Sequence, residues 1–97
     1  MVTKAIYASM KAKPGKEAEV ETFLKGALPL VQAEPGTVTW YALKEGGGRY
    51  SIFDTFEDDG GRDAHLNGKV AAALMAKADE LFAEPPSINK IDILADK

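Results

Sequence analysis

The segment from Arg49 to Leu66 constrains the fold of this 97-residue chain more than any other. Its first half has the composition of a strand, with large apolar residues at Tyr50, Ile52, Phe53 and Phe56. Its second half predicts a helix that carries His65, the only histidine. A strand that runs into a helix places this imidazole beside an aromatic-lined sheet, where a small pocket can form. His65 is therefore the first candidate for acid–base chemistry, because its ordinary pKa lies close to neutral pH.

The other segments complete the order β-α-β-β-α-β. Strands are predicted at Val2–Lys11, Thr37–Leu43, Arg49–Glu57 and Ile88–Leu94. A first helical region is predicted from Lys16 to Glu34, with apolar residues at helical spacing from Val20 to Val31 and a kink near Pro29. A short helix over Arg62–Leu66 and a longer one from about Lys69 to Glu84 follow. The triplet Gly46–Gly48 predicts a hairpin turn between the second and third strands. This order indicates one α+β domain over residues 1–97, ferredoxin-like, with helices on one face of an antiparallel sheet.

The predicted strands carry large residues on both faces of the sheet. Ile52 and Phe53 are adjacent, as are Trp40 and Tyr41, so one member of each pair points away from the helices. An uncovered aromatic face favours a homodimer formed sheet against sheet about a two-fold axis. The alternative is that single large residues on this face simply remain exposed, as they do in many monomers.

Composition excludes several classes of protein. The net charge of −3 and the scattered lysines argue against a nucleic-acid partner. The absence of cysteine excludes disulfides, thiolate nucleophiles and cysteine-ligated metals, and a single histidine makes a metal site improbable. No apolar run approaches the roughly 20 residues that span a bilayer, and the N-terminus reads as a strand, so no membrane association and a cytoplasmic location are expected.

Four stretches resemble the antibiotic biosynthesis monooxygenase family: KAKPGKEAEVETFL, VQAEPGTVTWYAL, the FDTF strand and DGGRDAHLNGKVAAALMAKADELFAEPPSI. The similarity extends from Val2 to about Leu94 in the same order and spacing. The resemblance implies a dimeric α+β barrel and a monooxygenase that acts without a cofactor on a quinol or another flat polyphenol. The family also contains isomerase-like enzymes and proteins without a known activity.

Oxygenation without flavin or metal needs an electron-rich phenol, a base that removes its proton and a dry pocket. His65 is the candidate base, and Asp54 in the third strand is expected to orient the imidazole or to accept a substrate hydroxyl. The residues expected to stack on the planar substrate are Trp40, Tyr50, Ile52 and Phe56. Tyr7 is a further candidate, as a hydroxyl donor. Each also has a structural interpretation: a hydrogen-bonded histidine, an aspartate paired with a neighbouring cation, and aromatic residues of the core.

Three other functions stay open at this point. A non-catalytic protein that binds a small aromatic ligand would have the same fold and dimer, with an inert His65. An isomerase of a small metabolite would use His65 to move a proton without oxygen. An RNA-recognition module shares the element order, but the acidic charge balance disfavours it.

Overall fold

The computed structural model describes residues 1–97 and follows the predicted order, with the helical regions divided into four helices. The elements are β1 (Lys4–Lys11), α1 (Glu17–Gly26), α2 (Leu28–Gln32), β2 (Thr37–Gly46), β3 (Arg49–Phe56), α3 (Asp59–Leu66), α4 (Lys69–Leu81) and β4 (Ser87–Asp92). The strands form one antiparallel sheet in the order β2-β3-β1-β4. The predicted ferredoxin-like α+β fold is confirmed.

The first helical region divides into α1 and α2 at Ala27, just before the predicted kink. Pro29 is the second residue of α2, where the missing N–H leaves no intrahelical bond unmade. The break at Ala27 is bridged by its N–H, which donates to the carbonyls of Phe23 and Leu24. The apolar stripe therefore continues through the break, and Val31 of α2 is buried like Leu24 of α1.

The glycine triplet forms the hairpin turn, as predicted. Gly46, Gly47 and Gly48 have φ angles of 90°, 61° and 80°, a region that residues with a side chain rarely adopt. Gly46 pairs with Arg49, so β2 is longer than predicted. β4 ends at Asp92 rather than Leu94, because Asp92 pairs with Lys4, the first residue of β1.

The core lies between the helices and one face of the sheet. Its strand residues include Ala8, Met10, Tyr50 and Ile52, and its helix residues include Val20, Leu24, Leu74, Ala78 and Leu81. Trp40 of β2 is half-buried and packs against this cluster and against a smaller one formed by α2 and α4. Asp54 lies on the same face of β3 as Ile52, so it points toward the helices.

The opposite face of the sheet carries no helix. It presents Tyr41 at 53% exposure and Leu43 and Ile91 at 39% each. Phe53 is half-buried on the same face, paired with Tyr41 on one side and with Tyr7 on the other. The sheet therefore has a packed face that contains Asp54 and an open face that exposes several large apolar side chains among polar ones.

None of the four helices combines the length and apolar character needed to cross a membrane. The cytoplasmic location stays a prediction.

Candidate active site

The imidazole of His65 lies between two carboxylates. Its Nδ1 is 2.6 Å from Oε1 of Glu34, and its Nε2 is 3.0 Å from Oδ2 of Asp54. The histidine is 7% exposed, the aspartate side chain 1% and the glutamate side chain 20%. His65 is therefore a buried member of an ionic cluster rather than an exposed surface residue, and this environment makes it a candidate acid–base group.

Three separate elements bring these side chains together. Asp54 is in the middle of β3, between Trp40 of β2 and Ile6 of β1. His65 is in the last turn of α3, which packs over this part of the sheet. Glu34 is in the turn between α2 and β2, where the Thr37 hydroxyl donates to Oε1 at 2.8 Å.

The turn is held against α3 by a close backbone contact. A Cβ added to Gly36 would lie 2.9 Å from Cα of Gly61, and one added to Gly61 would lie 2.9 Å from O of Gly36. Real Cβ contacts are not this short, so both positions need glycine for the space rather than for an unusual φ angle. The start of α3 is capped by Asp58, whose side chain accepts a hydrogen bond from the Gly61 N–H. The contact between Gly36 and Gly61 holds the turn that carries Glu34 close to the helix that carries His65.

We expect Gly36→Ala to destabilise the fold by about 1–3 kcal/mol, because its methyl group meets backbone that cannot move away cheaply. Gly26→Ala is the matched control: nothing lies within 4 Å of its added Cβ, and it ends α1. The control should be neutral or slightly stabilising. Urea denaturation of both variants checks the difference, and equal stability would contradict the steric role of Gly36.

The two ring nitrogens have different environments. An ionised carboxylate only accepts hydrogen bonds, so the contact between Nδ1 and Glu34 places a hydrogen on Nδ1. The contact between Nε2 and Asp54 is close but not aligned, and neither oxygen of Asp54 receives a hydrogen bond. In the neutral ring Nε2 is therefore the basic nitrogen. No group of three or more His, Cys, Asp or Glu side chains is arranged to hold a metal ion.

Burial lowers the pKa of His65, but the contacts with Asp54 and then Glu34 outweigh it and raise the pKa above 6.5. The charged imidazolium is thus favoured in the folded protein relative to the unfolded chain. A raised folded-state pKa stabilises the fold fully below pH 6.5, and this stabilisation is lost as the pH rises through the folded-state pKa.

We expect the stability difference between the wild-type protein and His65→Gln to shrink as the pH rises above 6.5. Urea denaturation midpoints of both proteins, measured across that pH range, check the sign. Lys90→Gln, a surface substitution on β4, should show no such trend. A difference that grows with pH would contradict the raised pKa.

A pocket of about 360 Å³ opens beside this cluster. Its wall is formed by the end of α2, the turn from Glu34 to Thr37, the face of α3 with Ala64 and His65, and the start of α4 at Gly68 and Lys69. A second pocket of about 280 Å³ lies against α2 and β2 and is bordered by Trp40. The two pockets share Glu34 and Thr37, so Glu34 can be reached from both.

The structure brings some of the predicted site residues to His65. Asp54 is in contact, and the ring of Phe56 is 5.5 Å from the imidazole between centroids. Trp40 is paired with Asp54 across the two strands. These three residues and His65 form one cluster on the packed face of the sheet.

Other predicted residues lie elsewhere. Ile52 is in the main core, and the Tyr50 hydroxyl donates to Glu21 at 2.6 Å, a hydrogen bond that raises the pKa of Tyr50 to about 12. Tyr7 is on the open face, where its hydroxyl donates to Glu45. The structure therefore does not bring Tyr7 or Tyr50 to His65 within one chain. Substrate contact by these aromatic residues stays a prediction.

Glu34 is the main residue that reasoning from the sequence missed. It is 31 positions before His65, and in the sequence it marks only the end of the first predicted helical region. An acid in a turn that enters a strand is a weak signal, because most such residues are solvated. Its pairing with the imidazole is a tertiary contact, made where the turn packs against α3 at Gly36 and Gly61.

Comparison with known proteins assigns a family to this architecture. Residues 4–77 match the family model described as antibiotic biosynthesis monooxygenase. A protein of unknown function from Nitrosomonas europaea is similar over 100% of this chain and 94% of its own, with 50% identity and a TM-score of 0.97. A candidate antibiotic biosynthesis monooxygenase from Caulobacter crescentus CB15 has 21% identity and a TM-score of 0.83, over 97% of this chain and 92% of its own. No curated protein matches the chain significantly.

Proposed function

Because the chain belongs to the antibiotic biosynthesis monooxygenase family, we propose that it oxidises a quinol or another polyphenolic small molecule with dioxygen, without a cofactor. His65 is the general base in this proposal. The observation that carries it is the buried imidazole held between Glu34 and Asp54 beside a pocket. The family supports the class of reaction, and the geometry supports the base.

The first step is removal of a phenolic proton. The neutral ring of His65 accepts it at Nε2, and the resulting imidazolium is stabilised by Asp54 at 3.0 Å and Glu34 at 2.6 Å. The phenolate then supplies electrons to dioxygen. One oxygen atom forms a C–O bond at a ring carbon that loses its hydrogen, the other leaves as water, and the quinol ends as a hydroxyquinone. The substrate is thus its own reductant.

Burial suits the site to this chemistry. At 7% exposure, His65 is shielded from bulk water, and a phenolate formed there is less exposed to reprotonation by solvent. The negative charge of the phenolate is balanced by the imidazolium that forms with it. The hydrogen bond between Glu34 and Nδ1 fixes the orientation of the ring, so that Nε2 stays directed at Asp54.

We further propose that the protein is a homodimer that pairs the open faces of two sheets. That face exposes Tyr41 and Leu43 on β2 and Ile91 on β4, with the half-buried Phe53 of β3 between these two edge strands. Large exposed side chains on an uncovered sheet face are more typical of an interface than of a monomer's surface. Pairing would bury it and leave the helix side of each sheet, with its His65, facing outward.

Oxygen consumption tests the proposed reaction. Metal-depleted protein is mixed with menadiol in air-saturated buffer, and the protein-free rate of oxygen uptake is subtracted. A second reaction under isotopically labelled dioxygen follows where each of the two oxygen atoms goes. The proposal expects protein-dependent uptake with one labelled atom in the product and one in water. Uptake without label in the product would indicate a simple oxidase. No uptake with any quinol, alongside saturable ligand binding, would replace the proposal with a binding protein, and conversion without oxygen would replace it with an isomerase.

A further inference from the structure

Three polar groups that are cut off from solvent around the sheet lack partners. They are the indole Nε1 of Trp40, both carboxylate oxygens of Asp54 and Nε of Arg62. Each of these atoms is inaccessible to solvent and makes no hydrogen bond. The other guanidinium nitrogens of Arg62 are bonded, to the carbonyls of Ala5 and Ile91 and to Asp59. Oδ2 of Asp54 is in ionic contact with Nε2 of His65 at 3.0 Å, whereas Oδ1 of Asp54 and Nε1 of Trp40 have no partner. A buried polar group without a partner is costly, so these two need an explanation.

The two groups are neighbours. Trp40 and Asp54 are directly paired across β2 and β3 and point to the same face. Directly opposed residues in an antiparallel pair have their Cβ atoms about 4.5–5.5 Å apart. They do not bond to each other, although one is a donor and the other an acceptor.

Their chemistry defines what could join them. An indole N–H only donates, and a carboxylate only accepts. A bridging group must therefore accept from Trp40 and donate to Asp54. A hydroxyl, in a ligand or in water, does both with one atom, whereas an ether or a carbonyl cannot donate and an ammonium cannot accept.

The surroundings favour a hydroxyl on an aromatic ring. The ring of Phe56 lies 5.5 Å from that of His65, and the indole of Trp40 borders the pocket of about 280 Å³. That pocket has apolar walls at Leu28 and Val31 of α2. Aromatic surfaces around a polar anchor are the usual design of a site for a planar ligand.

We propose that Trp40 and Asp54 form a subsite for a phenolic hydroxyl, with the indole donating to the oxygen and the carboxylate accepting its hydrogen. This inference rests on the proposed function and deepens it, because the bound hydroxyl would lie beside Nε2 of His65, 3.0 Å from the same carboxylate. Rotation of the hydroxyl about its C–O bond would turn its hydrogen from Asp54 to the neighbouring Nε2 of His65, and Trp40 would stabilise the phenolate oxygen left after the proton has moved to the imidazole. Trp40 is thus assigned a polar contact with the substrate in addition to stacking.

The test uses binding rather than turnover. Trp40 is the only tryptophan, so tryptophan emission, excited where the three tyrosines do not absorb, reports this site alone. The probes are para-cresol, which donates and accepts, and para-methylanisole, which has the same ring but cannot donate. We expect a saturable change in Trp40 emission with para-cresol and affinity lower by about 10-fold or more for para-methylanisole.

Variants locate the contact. Asp54→Leu, which removes the acceptor, should abolish the preference for the phenol, and Asp54→Asn, which keeps the shape, should reduce it. Asp92→Asn on the exposed edge of β4 is the matched control and should keep the preference. Equal binding of the two probes by the wild-type protein, or no saturable response to para-cresol, would overturn the subsite, even if Asp54→Leu fails to fold.

The outcomes separate this inference from the proposed reaction. The binding probes need no oxygen. If the protein binds para-cresol and para-methylanisole equally but still consumes oxygen with menadiol, only the subsite is ruled out. If the protein prefers para-cresol but consumes no oxygen with menadiol, the subsite stands and the proposed oxygenase reaction is ruled out.

Discussion

His65→Ala is expected to lower kcat/KM for quinol-dependent oxygen consumption by about 100- to 10,000-fold, the range typical of losing a positioned base. No other side chain in the cluster has an ordinary pKa near neutrality, so no neighbour can replace it. The measurement is the initial rate in an oxygen electrode, after subtraction of the protein-free rate.

The control must separate chemistry from stability. Val20→Ala removes fully buried side-chain atoms from α1 and should destabilise the fold without touching the cluster. Its kcat/KM should stay near that of the wild-type protein wherever both are folded. Added imidazole should restore part of the rate of His65→Ala, because the deleted ring leaves a cavity. Activity of His65→Ala equal to that of Val20→Ala would remove the base from the mechanism.

The second large effect is on assembly. The double variant Tyr41→Asp and Leu43→Asp should weaken the proposed dimer by about 100-fold or more, because burying unpaired carboxylates in an interface costs several kcal/mol. Both residues are exposed on the open face, so the fold of each chain should be unaffected. Sedimentation velocity across a concentration series gives the dimer dissociation constant.

Met75→Asp is the matched control for that experiment. Met75 is 57% exposed but lies on α4, on the helix side of the sheet. Its variant should sediment like the wild-type protein. A wild-type protein that is monomeric at every concentration, or a double variant that stays dimeric, would contradict pairing through the open faces.

Local patterns were sufficient to predict the fold. The concentration of large apolar residues from Tyr50 to Phe56 placed β3, the spacing from Val20 to Val31 placed the first helical region, and the three glycines placed the hairpin. The position of Pro29 located the break between α1 and α2 to within two residues. These signals lie in neighbouring residues, so no tertiary information was needed.

The site was harder to predict because its contacts join distant parts of the chain. Asp54 and His65 were candidates because of their residue types, but Glu34 required knowledge of how the turn meets α3. The face of β3 that meets the imidazole was ambiguous in the sequence, since both Ile52 and Phe53 are large. Tyr7 was grouped with the site by residue type alone, and strand alternation placed it on the other face.

The pH dependence of kcat/KM tests most directly whether the buried imidazole is the base. For the wild-type protein, kcat/KM for quinol-dependent oxygen consumption should rise with pH through a single titration whose midpoint lies above 6.5, because Nε2 is basic only when the ring is neutral. In His65→Ala the titration should disappear, leaving the smooth rise of the uncatalysed reaction. A wild-type profile without this titration, or the same midpoint in both proteins, would contradict the account.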